Sequence, residues 1–302
     1  MENIVVMHKK PELKDPYLVA AWPGIGNIGL MAVNYLKNRL EAEEFAEIKS
    51  CPYFFPKSIT IKNGILQHMD FPSHKFYYKK AEQDLILFLG EMQPKEEEEI
   101  YDIANHVLDV GIAFGCKRVY TAGAAVAPIH HTLKPKVWAV PNNEKLINEV
   151  KGGENIILMS NMGEKGRQGS ISGLNGVLLG TAKRKGLDGI CLLGEIPIYI
   201  AQFSIPYPML YPNASKSILE ALTPRLKVEI ELSRLNSFIT RTETEIENLY
   251  QSLPIQIQEE LDKLKYETYV KPTALEPITD EEKEKIIKEV EEFFKKGGKI
   301  ND

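Results

Sequence analysis

Trp22-Pro23-Gly24-Ile25-Gly26-Asn27-Ile28-Gly29 is the stretch on which the reading of this chain turns. A short apolar run, residues 17–22, leads into it and reads as a buried strand. Beyond it, Ile28, Met31, Ala32, Tyr35 and Leu36 recur on one face of a helix predicted over 27–40. A strand, a tight glycine turn and an amphipathic helix form the opening half of a crossover unit. The glycines match G-x-G-x-x-G, which in dinucleotide-binding folds gives a tight turn, a close pyrophosphate approach and close helix packing. Glu44 and Glu47 stand about where such a fold places its acid. Pro23 before the first glycine and Asn27 at the helix start favour the plainer reading, a turn that needs positive φ.

The alternation continues outward. Candidate strands lie at 45–48, 58–61, 65–71, 75–78, 85–89, 118–122, 137–140, 156–159 and 190–193. Helices are predicted at 95–114, 143–150, 172–185 and 215–222. The continuous apolar run 85–89 is the pattern of a central strand covered on both faces. Strands alternating with helices require crossovers, hence a largely parallel sheet. Asn63-Gly64 is a hairpin signal and adds an antiparallel part. The expected fold class is α/β, a mixed, largely parallel sheet flanked by helices, with a C-terminal helical extension.

That extension has its own charge. Of the 302 residues, 37 are Lys or Arg and 42 Asp or Glu; residues 229–302 hold 18 acids and 11 bases, a net of −7, leaving +2 for residues 1–228. The overall net charge of −5 argues against a generic nucleic-acid partner. Expected domains are an α/β domain, 1–235, and a helical extension, 236–302, with a linker near 268–278 carrying Pro272 and Pro277. Thr279-x-x-Glu282 is a capping box. It opens a helix with Ile286, Val290, Phe293 and Phe294 along one stripe, a candidate partner-binding surface. Cys51, Cys116 and Cys191 are scattered and odd in number, which fits a reducing cytoplasm. No signal peptide or bilayer-length apolar run is read, so a cytoplasmic protein without a membrane partner is expected.

Candidate chemistry is sparse. Residues 163–170 form a polar glycine loop between a strand and a helix. Lys165, Arg167 and Ser170 there could hold an anion, or the loop could be a solvated connection with Ser170 or Ser172 as helix N-cap. Glu195 closes the strand at 190–193 and Glu91 follows the one at 85–89, so the two could form a carboxylate pair. His130-His131 are adjacent and poorly spaced for one metal. No Walker loop, G-x-S-x-G elbow or metal-ligand spacing is present. No metal, cofactor or catalytic residue is expected. Gly24, Gly26, Asn27, Glu91, Lys165, Arg167, Ser170 and Glu195 remain as candidate ligand-binding residues.

As a set, three blocks resemble the PAC2 family, the proteasome assembly chaperone 2-like proteins of archaea and bacteria. They are residues 22–29, then Leu89-Gly90-Glu91-Met92-Gln93-Pro94, then Gly169-Ser170-Ile171-Ser172-Gly173-Leu174-Asn175-Gly176. Gly194-Glu195 and the helix at 215–222 complete the order, over roughly residues 15–235. The resemblance implies a phosphorylase/hydrolase-like α/β fold and a tendency to form homo-oligomers. It also implies a non-enzymatic role as an assembly or adaptor factor for proteasome-type rings. Some archaeal relatives dock through a C-terminal hydrophobic–Tyr–any-residue tail, whereas this chain ends Lys299-Ile300-Asn301-Asp302. The rival expectation is an enzyme or binder of a nucleoside-like or anionic small molecule on the same fold.

Overall fold

The apolar run ahead of the glycine turn is a strand because each of its faces meets a separate helical layer. In the computed structural model, Leu18, Ala20 and Trp22 point into one core, while Val19 and Ala21 point into the other. The structure describes residues 4–55, 59–67, 69, 71–151, 153, 155–158, 169–202, 210–266 and 288.

The strands in chain order are β1 (Val5–Met7), β2 (Tyr17–Ala21), β3 (Glu43–Ile48), β4 (Ile61–Lys62), β5 (Ile65–Leu66), β6 (His74–Lys79), β7 (Leu85–Gly90), β8 (Arg118–Ala127), β9 (Val137–Pro141), β10 (Ile156–Leu158) and β11 (Asp188–Pro197). The helices are α1 (Ile28–Arg39), α2 (Glu97–Ala113), α3 (Ile147–Val150), α4 (Gly173–Arg184), α5 (Ile198–Gln202), α6 (Pro212–Leu226), α7 (Ser233–Gln251) and α8 (Ile255–Lys263). Nine strands form one sheet, ordered β1-β3-β6-β7-β2-β8-β11-β9-β10. Its centre, β7-β2-β8-β11, is parallel. The wing β6-β3-β1 is antiparallel, and β9 runs antiparallel to β11. The fold is therefore mixed α/β with a parallel centre and helices on both faces.

Two expectations need correction. The Asn63-Gly64 turn forms, with both residues at positive φ, but β4 and β5 make a separate two-stranded sheet. The antiparallel part of the main sheet comes from β1, β3, β6 and β9 instead. The helix expected over 143–150 is a 3-10 turn followed by the single turn α3.

On one face α1 and α6 pack together, with Ile28, Ala32, Val33 and Leu36 against Val19, Tyr120 and Leu192. On the other α2 and α4 pack together, with Val107, Leu108, Leu174 and Leu178 against Leu18, Phe88 and Val119. Burying one such large side chain contributes about 1.5–3 kcal/mol. Leu235, Ile239, Ile246, Ile257 and Leu261 of α7 and α8 join the α1/α6 layer, so packing runs without a break past residue 235. No helix among the described residues is long and apolar enough to cross a membrane.

Two glycines set the height of α1 over the sheet. Gly26 has φ +62°, a conformation L side chains rarely adopt. At Gly29 a Cβ would stand 1.9 Å from the Ala122 carbonyl oxygen of β8. Gly24, by contrast, is extended, and a Cβ there would meet nothing within 4 Å. Gly29→Ala should cost about 3 kcal/mol or more in denaturant unfolding, since the backbone of β8 must give way. Gly24→Ala should change stability by less than about 0.5 kcal/mol.

Candidate functional site

The three sequence blocks quoted above meet at the C-terminal ends of β2, β7 and β8. Parallel α/β sheets place ligands at strand ends where the chain divides between two halves of a sheet. Here the chain leaves β2 toward β3, β6 and β7, and β8 opens the other half. One side chain joins the blocks. Gln93, just after β7, donates from Nε2 to the Pro23 carbonyl (2.6 Å) and accepts at Oε1 from the Leu174 amide (2.9 Å). It thus ties the glycine turn to the first turn of α4. Ser172 holds the N-cap position of α4 but makes no side-chain cap bond, and Ser170 is exposed in the connection before it. The capping oxygen comes from Gln93, 81 residues away in sequence.

Beside this clamp lies a cavity of about 200 Å³, lined by Trp22, Gly24, Gln93, Gly123, Ser170 and Asn175 among others. It adjoins a groove of about 550 Å³ bordered by Trp138, Ile171, Leu179 and Lys183. Two lining residues each bury a polar atom, Trp22 Nε1 and Asn175 Oδ1, that finds no hydrogen-bond partner among the described residues. One is a donor, the other an acceptor.

The residues singled out in the sequence divide as follows. Gly24 and Ser170 line the cavity. Gly26 and Asn27 form the turn, with φ +62° and +48°, and the Gly26 carbonyl accepts from the Tyr211 amide (3.1 Å). Tyr211 and Ile196 fill the space over Gly26. Glu195 is 1% exposed and bound at both oxygens, accepting from the Lys136 amide and Trp138 Nε1, each at 2.8 Å. It pins β9 to β11. Glu91 is exposed and accepts from the Ser73 amide (2.8 Å). β7 and β11 are separated by β2 and β8, hence by about 14 Å at ordinary strand spacing. The structure thus does not bring Glu91 and Glu195 together. Lys165, Arg167, Ile286, Val290, Phe293 and Phe294 lie outside the described residues, as does the linker near 268–278.

Sequence reasoning missed a second polar cluster, where α7 and α8 meet the body. His130 and His131, after β8, are buried with ring centroids 4.1 Å apart. The Tyr199 hydroxyl accepts from the His131 amide (2.8 Å) and lies 2.7 Å from His131 Nδ1; because the Glu247 carboxylate facing Nε2 can only accept, the neutral ring carries its proton on Nε2 and Nδ1 accepts from Tyr199. His131 Nε2 then donates to Glu247 Oε2 of α7 (3.1 Å). His130 Nδ1 faces Thr132 Oγ1 (2.8 Å), and its Nε2 is 3.5 Å from Asp262 of α8, which also accepts from the Tyr250 hydroxyl (2.7 Å) and pairs with Lys265. Burial, reinforced by the neighbouring His131 and by Lys265, pushes His130 down to about 4, and burial lowers His131 as well. The adjacent pair was legible in sequence, but His131's side-chain partners Tyr199 and Glu247 lie 68 and 116 residues away. The described group of metal-ligand type is elsewhere: His8, Glu44 and Glu47 offer atoms within 4.8 Å of one another at the sheet edge. There Lys75 already pairs with Glu44 at 2.9 Å.

Two tests follow from this geometry. Gln93→Ala leaves the Leu174 amide without its acceptor and should cost about 1–3 kcal/mol in denaturant unfolding. Hydrogen exchange at the first turn of α4 should rise with it. The buried histidines give a pH signature. Their folded pKa values lie below the unfolded value, so protons bind the unfolded chain more readily. Their stabilisation is complete above about pH 6.5 and is lost as pH falls toward 4. Unfolding midpoints measured across that window should drop, and His130→Gln should flatten the slope.

Similar proteins place this architecture. An uncharacterised protein of Methanocaldococcus jannaschii is 29% identical over 239 residues, covering 78% of this chain and 84% of its own. The crystal structure of Pyrococcus furiosus PbaB, an archaeal proteasome activator, superposes with TM-score 0.67 at 29% identity, over 81% of this chain and 97% of PbaB. A Mycobacterium tuberculosis proteasome-assembly chaperone homologue shares the fold at 19% identity, with TM-score 0.64 and coverage of 82% and 99%. The sequence profile of the PAC2 family matches residues 18–250, from inside β2 almost to the end of α7 and beyond the residue-235 limit of the resemblance read in the sequence. That match spans most of the chain, which therefore belongs to the PAC2 family.

Proposed function

We propose that this protein works by contact rather than by turnover, as a proteasome-assembly-chaperone-like interaction or adaptor protein. The observation that carries the reading is the likeness to PbaB, an archaeal proteasome activator, over nearly the whole of that chain. The use of the strand-end side chains supports it. Gln93, Glu195 and the Gly26 carbonyl, where a rival enzyme would keep reactive groups, are bound to the protein's own backbone and side chains. The partners we propose are subunits of a proteasome-type ring, met in the cytoplasm, with the protein acting as a homo-oligomer. No nucleic acid or membrane takes part. The stripe Ile286, Val290, Phe293 and Phe294 is a further proposed contact, since an amphipathic helix on a Pro-bearing linker suits a groove. Affinity purification of the full chain from its own cells should recover ring-forming protease subunits. Recovery without any such subunit would overturn this reading.

A second reading has its own observation. The cavity beside Gln93 lies at the strand ends and is lined by the polar side chains of Gln93, Ser170 and Asn175. A small polar molecule of the nucleoside or anion class would suit such a lining. Thermal-shift measurements against nucleosides, nucleotides and phosphate separate the two. A binder present at 100 times its Kd stabilises by about 2.7 kcal/mol and raises Tm by several degrees. The contact reading predicts no shift across the panel.

A further inference from the structure

At the edge of the sheet β3 breaks the alternation of an ordinary strand. Its register against β6 shifts between Glu44 and Ala46. Phe45 and Ala46, consecutive in sequence, both enter the α2/α4 core layer. Residues three apart on a regular strand face opposite sides. This bulge instead leaves Glu44 and Glu47 together on the other side, as bulges re-aim side chains. The amides of His8 and Lys9 both donate to the Phe45 carbonyl (2.8 and 3.1 Å), which fixes the residue after β1 at the bulge. His8 Nε2 stands 3.7 Å from Glu47 Oε1, and one donor atom from each of His8, Glu44 and Glu47 lies within 4.8 Å of the others.

We propose that His8, Glu44 and Glu47 form a binding site for a divalent first-row transition ion of the Zn²⁺ type. The donor set selects that class. One imidazole nitrogen with two carboxylate oxygens suits Zn²⁺ and its neighbours, whereas Mg²⁺ and Ca²⁺ take oxygen and Cu(I) prefers sulfur. Two ligands about 2.0–2.1 Å from one tetrahedral ion stand about 3.4 Å apart, so shifts of about 1.5 Å or less bring the three donors to one ion. Positive charge is already drawn here, since Lys75 Nζ lies 2.9 Å from Glu44 Oε2. The Lys75 side chain is 30% exposed, so it can turn to solvent and yield Glu44 to an ion. Lys9 is held aside by Glu43 (2.7 Å). Three protein ligands leave the remaining positions to water, and the exposure of His8 keeps the ion exchangeable. Its effect is structural. β1 is a three-residue strand at the end of the sheet, and an ion shared by His8 and the two glutamates ties it to β3.

The test is a titration of the full chain, stripped with EDTA and dialysed, with Zn²⁺ alone, together with hydrogen exchange over residues 5–8. One ion per chain should bind, and the β1 amides should exchange more slowly once it does. His8→Ala and Glu47→Gln, both at exposed side chains, should each weaken binding at least about tenfold and abolish that slowing. Lys75→Met removes the competitor for Glu44 and should tighten binding severalfold, a gain that a cluster serving only as a lysine bridge would not give. Near-UV circular dichroism checks that each variant is folded, and His8→Gln gives the same readout if His8→Ala is not. No saturable binding, binding that the His8 variant leaves unaltered, or weaker binding in Lys75→Met would each overturn the proposal.

Discussion

The approach of α1 to β8 is the constraint on which the rest of the structure depends. With no side chain at Gly29, the helix lies against the Ala122 carbonyl, at a separation that any Cβ would forbid. That depth brings the Gly24–Asn27 turn down onto the strand ends, where the Pro23 carbonyl comes within reach of Gln93. Gln93 in turn fixes the start of α4. The two helical layers, one containing α1 and the other α4, are therefore coupled through a glycine contact and one amide side chain at the head of the sheet.

The same arrangement explains why a dinucleotide-like glycine motif here need not hold a phosphate. Two of its glycines have structural duties: Gly26 supplies the positive-φ turn and Gly29 the close packing. Tyr211 and Ile196 occupy the space above the turn, which narrows the room for a pyrophosphate. Glu195 likewise spends both oxygens on holding β9 in place. Polar groups are concentrated instead where helices dock. The His130–His131–Tyr199 cluster joins the body to Glu247 and Asp262 of α7 and α8.

Much of the frame was legible in the sequence, and the limits of that legibility are physical. The run at 85–89 and the helical stripe from Ile28 to Leu36 carry strong periodicity, and both elements form where the pattern places them. β8 and β11 extend well past their apolar runs, through Gly123–Ala127 and Gly194–Pro197, because small residues in a ladder leave no hydrophobic pattern. The Asn63-Gly64 turn was readable from local chemistry, but its separation from the main sheet was not, since pairing partners are a tertiary choice. At the site, Gly24 and Ser170 were found by motif and do line the cavity. Gln93, Trp22, Tyr211 and Asn175 were missed as site residues because their importance lies in contacts made across long stretches of chain. Only the order of the three blocks hinted that they converge.

The central claim is that this protein acts through bound proteins rather than on a small molecule. Native mass spectrometry of the full chain, isolated gently from its own cells, tests that most directly. The account predicts a complex that contains at least one other polypeptide and whose mass is explained by protein alone. A chain that carries only a stoichiometric small-molecule adduct, with no second polypeptide, would contradict it.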